Sequence, residues 1–136
     1  RLIGRIAAGE APAAIKQLRA LVKREQQAHA KGDRRAAVRL SGEFHVLLAQ
    51  LSGSAIMTRM LRELTPLTCL AILTFDAPTG AACPNDEHTV LLDAIEAGDA
   101  DTAVSLMDEH LHHIEKSLNL DAEAAPEIDL AEALLG

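Results

Sequence analysis

Six histidines are spread over the 136-residue chain, and three of them fall where the spacing of apolar residues points into a core. His88 stands three, four and seven residues before Leu91, Leu92 and Ile95. His110 follows Met107 by three and precedes Ile114 by four, while His45 adjoins Phe44 and precedes Leu48 by three. Residues three or four apart share one face of a helix, so each of these imidazoles lies on or beside a buried stripe. A lone histidine in such a place is ordinarily a hydrogen-bonded core residue. Three from separate helices carry a further meaning. A neutral imidazole nitrogen is a preferred ligand of zinc, nickel and similar ions, and a bundle interior can bring three helices to one point. His45, His88 and His110 are therefore the candidate ligands of a divalent metal, zinc or nickel. His29 lies near a polar helix end, and His112 and His113 flank His110 on faces that cannot all point inward.

Other chemistry finds little support. The chain has no phosphate-cradling glycine loop, no paired-cysteine metal motif and no nucleophile elbow. Glu87 with His88 and Glu109 with His110 are adjacent acid–base types, yet neighbours on a helix point about 100° apart and do not face each other. No catalytic residue is assigned.

The elements that must carry the histidines read as one helix after another. Leu2, Ile3 and Ile6 start an apolar stripe at the chain's first residues and Gly9 stops it. Pro12 suits a first helical turn and is followed by Ile15, Leu18, Leu21 and Val22 at helical spacing up to Gly32. Asp33 caps the next helix, whose inward positions are Ala37, Leu40, Phe44, Leu47, Leu48 and Leu51, and Gly53 ends it. Ser54 caps a helix running through Met57, Leu61, Leu64, Thr68, Ile72 and Phe75, with Pro66 inside it removing one backbone bond and bending the rod. Residues 76–84 are turn formers and read as the longest loop. Asn85 caps a fifth helix bearing Val90, Leu91, Ala94 and Ile95. Asp99 caps a sixth with Ala103, Leu106, Met107, Leu111, Ile114 and Leu118. No period-2 alternation of useful length and no internal repeat interrupts the pattern, so the fold expected is an all-α antiparallel bundle of about six to seven helices.

Composition agrees. Apolar residues make up 49% of the chain and charged ones 24%, the proportions of one globular domain. Aromatics are 1%, so the core must be packed from aliphatic side chains and alanine. A formal charge of −7 opposes binding to nucleic acid or an anionic membrane by this chain alone. No apolar run approaches the roughly 20 residues that span a bilayer. Cys69 and Cys83 are too few for a disulfide framework, which fits a reducing cytoplasm.

Certain segments resemble a known family. Phe44-His45, the run Ala49-Gln50-Leu51-Ser52-Gly53-Ser54, Asp86-Glu87-His88, the stretch Leu91 to Asp99 (LLDAIEAGD), Ala103 and Met107-Asp108-Glu109-His110-Leu111 look like the FCD effector domain of FadR-type bacterial transcription regulators in the GntR family. The likeness covers residues 1–120 and leaves 121–136 as an acidic tail with one short amphipathic stretch through Leu130 and Leu134. It implies a ligand-sensing bundle that forms a homodimer and controls a winged-helix DNA-binding domain lying upstream, outside this chain. It also implies a pocket for a small-molecule effector, often a carboxylate, beside a metal held by an aspartate and three histidines. The histidines correspond to His45, His88 and His110. The aspartate position is Ser41, one turn before His45, where a hydroxyl is the poorer ligand.

The effector is expected among the later helices beside the histidines, with the Ser41 and Thr68 hydroxyls facing it. Thr65-Pro66-Leu67-Thr68-Cys69-Leu70 is apolar where arginines would suit an acidic effector, which points to a less polar one. The competing readings are a hydrolase with a histidine-bound metal that activates water, and a helical interaction module whose histidines are structural.

Overall fold

A computed structural model describes residues 12–75 and 86–118 of the chain. Five helices fall in these residues: α1 (Pro12–Ala30), α2 (Arg34–Ser52), α3 (Ala55–Phe75), α4 (Glu87–Glu96) and α5 (Ala100–Ser117). The helix expected before Gly9, the loop at 76–84, Asn85 and the tail 121–136 lie outside the described residues. Among those described there is no strand, and no helix is long and apolar enough to cross a membrane.

The helix starts are capped by the residues that their chemistry suggests. Asp33 accepts from the Ala36 amide at 3.0 Å, Ser54 from that of Met57 at 3.3 Å, and Asp99 from that of Thr102 at 3.0 Å. Each bond satisfies one of the amides that a first turn leaves without a partner. The cap position of α4 belongs to Asp86, and its side chain makes no capping bond. Gly53 closes α2 at φ 77°, a left-handed conformation that costs glycine little. The turn there is so tight that α3 must fold straight back along α2.

Side-chain contacts show the directions. Arg34, at the start of α2, donates to the Ile72 carbonyl near the end of α3 at 2.9 Å. Further along, a Cβ built on Gly42 would stand 2.5 Å from Thr65 Cγ2 and 2.9 Å from Cys69 Sγ. The two helices therefore run antiparallel and touch at Gly42, where hydrogen is the largest side chain that fits. Helices α1 and α4 are antiparallel as well, because Arg19 pairs with Asp93 and Glu96 while Gln26 bonds Thr89. Leu18, Phe44 and Leu92, from α1, α2 and α4, are the largest side chains fully removed from water.

Helix α3 departs from the expected pattern. It continues unbroken through Pro66 and packs on α2, but Ile72 is its one buried residue. Leu64, read as part of the inward stripe, is 50% exposed, and Met57 is 49% exposed. Leu111 of α5 and Val90 of α4 are likewise exposed. A helix packed along a single neighbour buries only a narrow strip, so apolar spacing on α3 overstated how much of it reaches the core.

Candidate functional site

The three histidines singled out by their spacing meet in space. His45 comes from α2, His88 from the first turn of α4 and His110 from the middle of α5. His45 Nε2 lies 3.1 Å from His110 Nε2 and 3.3 Å from His88 Nε2, and all three ligand atoms fall within 4.8 Å of one another. His88 and His110 are 4% and 3% exposed. Phe44 stacks on the His88 ring with centroids 4.2 Å apart, which fixes the plane of that imidazole.

Carboxylates behind the rings decide which nitrogen faces the centre. His88 Nδ1 bonds Glu25 Oε2 at 2.8 Å, and His110 Nδ1 bonds Glu87 Oε2 at 2.6 Å. The other oxygen of Glu87 accepts a hydrogen bond from His113 Nδ1. A carboxylate accepts, so Nδ1 of each ring carries the proton and the Nε2 lone pairs of His88 and His110 point inward. Burial, reinforced by the neighbouring imidazoles, pushes His45 and His88 down to about 3, which keeps both neutral.

Among the described residues His45 has no such carboxylate behind it: as one tautomer its Nε2–H donates to a neighbouring lone pair, and as the other it adds a third lone pair, the set that a divalent cation suits. Two nitrogens on one tetrahedral zinc ion are roughly 3.3 Å apart, close to the separations here. The donor set thus fits a metal, with His45, His88 and His110 able to hold it and the carboxylates orienting two of the rings.

The two glutamates were not legible as partners of these histidines. Glu25 is only 4% exposed, and its burial raises its carboxyl to about 7. Its position, four residues after Leu21 and seven after Leu18, set a charged residue on an apolar stripe, and that was the signal available. Glu87 sits beside His88 in sequence but faces His110 and His113 across the helix pair. Burial alone would raise its carboxyl, yet the bonds from those two rings hold it below the usual range.

Beside the histidines lies a cavity of about 450 Å³ between α2, α3 and α5. His45 and His110 form one end, and Leu48, Leu61, Ile72 and Ile114 supply much of the apolar wall. Ser41 and Thr68 both line it, and the Thr68 hydroxyl also donates to its own helix at the Leu64 carbonyl, 3.2 Å away. No lysine, arginine or carboxylate is among the lining residues. His112 is on the surface and bonds the Asp108 carbonyl one turn back at 2.9 Å.

Comparison with known families finds a match to the FCD domain over residues 1–113. No curated protein and no solved structure matches the chain.

Proposed function

The chain belongs to the FCD domain family, a regulator type of domain, and from that membership we propose that it senses a small effector in the cavity beside His45 and His110 with a divalent metal, zinc or nickel, at the three histidines. The observation that carries the reading is the opening of a mostly apolar cavity onto two inward-facing imidazoles. Its volume lies within the range of sites for small organic molecules. A metal there would be a Lewis acid offering coordination positions to an effector oxygen. The chain's own residues do the rest: Glu25 and Glu87 hold two rings in the ligating orientation, and Phe44 packs one of them. Ser41 and Thr68 offer hydroxyls to a polar group of the ligand.

In this reading the domain performs no turnover. Hydrolysis by a metal-bound water would call for a general base, and the cavity lining offers no carboxylate. Binding instead favours one arrangement of the bundle over another, by no more than the ligand's difference in affinity for the two. Two copies of the chain, each linked to a winged-helix DNA-binding domain upstream, would convey that difference to DNA in the cytoplasm.

Calorimetric titration with zinc and with nickel tests the metal, followed by thermal-shift screening of small carboxylates and neutral metabolites on the loaded protein. A ligand at a hundredfold excess over its Kd adds about 2.7 kcal/mol of apparent stability. Metal binding that survives replacement of both His45 and His110 by alanine would refute the ligand set.

A further inference from the structure

We infer that the chain carries a second small-molecule site, a groove between α2 and α3 that takes an elongated aliphatic monocarboxylate. The groove lies across the α2–α3 contact from the cavity that opens onto the histidines, and Gly42, Thr65 and Cys69 line both. Its volume is about 620 Å³, within the range of sites for small organic molecules. None of the three histidines lines it, so its occupant does not depend on a metal held there.

Shape and wall composition select the body of the ligand. The lining residues step by three and four along both helices, from Arg39 to Gln50 on α2 and from Arg62 to Leu73 on α3. Such steps keep to one face of each helix, so two facing ridges bound a trough and not a round pit. Eleven steps of 1.5 Å make it about 16 Å long. Val46, Leu47, Pro66, Leu70 and Leu73 supply apolar walls, and Gly42, where the helices touch, forms part of the floor. An aliphatic chain laid along the trough would cover Leu70, which is 62% exposed and otherwise faces water.

Charge selects the head. Arg39, Glu43 and Arg62 are the charged residues of the lining, with one positive charge in excess. Arg39 is paired with Glu43 one turn along α2, whereas Arg62 has no hydrogen bond or ion pair among the described residues. Because the two helices run antiparallel, Arg62 stands with Gln50 at one end of the trough, and the Arg39–Glu43 pair stands with Leu73 at the other. The excess charge is thus at one tip. A single carboxylate there can take two parallel bonds from the guanidinium, and the Gln50 amide offers a further donor. A dicarboxylate would leave its second charge against apolar wall or beside Glu43, where nothing compensates it.

Calorimetric titration of the 136-residue chain with chelator present provides the test, using decanoate, decanol and decylamine, which share a tail and differ in the head. Decanoate should bind about tenfold or more tightly than decanol, the gain of a hydrogen-bonded charge, and decylamine should bind weakest. Affinity should rise about two- to fourfold for each methylene added between hexanoate and decanoate, according to how deeply the tail is buried. Arg62→Glu should reverse the order of the charged heads, so that decylamine binds more tightly than decanoate. Leu70→Asn, at an exposed position that the fold tolerates, should weaken decanoate and decanol alike. Methyl resonances of Val46, Leu47, Leu70 and Leu73 should shift on titration, and those of Leu61 and Ile114, in the cavity beside the histidines, should not. Decanoate binding that is indifferent to Arg62→Glu, or shifts confined to Leu61 and Ile114, would overturn the inference. So would a wild type that gives no saturable heat, which would leave the groove to another stretch of protein. Zinc binding at the histidines is a separate measurement, and its success or failure leaves this one unchanged.

Discussion

Acid should destabilise the metal-free protein by a predictable amount, because its core holds imidazoles that resist protonation. The native His45 and His88 side chains take up a proton only near about 3, against 6.5 in an unfolded chain. Below 6.5 the unfolded state therefore binds more protons, and each ring contributes stability that is present above that value and lost as the pH falls from 6.5 toward 3. One proton per molecule corresponds to about 1.4 kcal/mol for each pH unit. Glu25 acts in the opposite direction. Its carboxyl is raised from 4.5 to about 7, so the native state binds that proton first and gains stability as the pH falls through this window. Two protons against one leave a net of one between 6.5 and 4.5, or about 3 kcal/mol across the interval. That is a large part of the 5–15 kcal/mol typical of a domain. Below 4.5 the compensation from Glu25 is exhausted and the slope should roughly double. Urea denaturation in the presence of a chelator, repeated at intervals of pH, measures the effect directly. Glu25→Gln removes the compensating group and should steepen the slope above 4.5. A profile that is flat between 6.5 and 4.5, or that rises on acidification, would refute the view that these rings are buried neutral.

Three further outcomes follow from the same geometry. Glu25→Gln keeps the shape of the side chain but loses the anionic acceptor behind His88, so zinc affinity measured by calorimetry should fall about 10–100-fold; an unchanged Kd would mean that Glu25 does not orient the ring. Ser41→Asp returns a carboxylate one turn before His45 and should tighten zinc binding by about tenfold or more in the same assay, whereas weaker binding would show that Ser41 faces away from the metal position. Gly42→Ala places a methyl group 2.5 Å from Thr65 Cγ2, and the resulting separation of α2 and α3 should cost about 1–3 kcal/mol in urea denaturation; full stability would show that α3 shifts freely.

Much of this arrangement was legible in the order of residues. Helical spacing and the caps at Asp33, Ser54 and Asp99 located the helix starts because these signals act within one or two turns of chain. The same periodicity marked His45, His88 and His110 as inward, since a buried stripe on each helix is a local property. It misled on α3. Its apolar residues occupy more of the circumference than one partner helix can cover, and spacing alone does not show which of them face that partner. Leu64 was thus assigned inward and lies half exposed.

What the sequence by itself established is the all-helical class, the boundaries of most helices and the three imidazoles that share the interior. Only the tertiary structure decided the rest. Glu87 adjoins His88 along the chain yet serves His110 and His113, because neighbouring side chains on a helix diverge and the packing of α4 on α5 selects the partner. Glu25 meets His88 from 63 residues away, through the antiparallel register of α1 and α4. That register depends on how whole helix faces interlock, at Gly42 as at Leu18, Phe44 and Leu92, and no local pattern of residues encodes it.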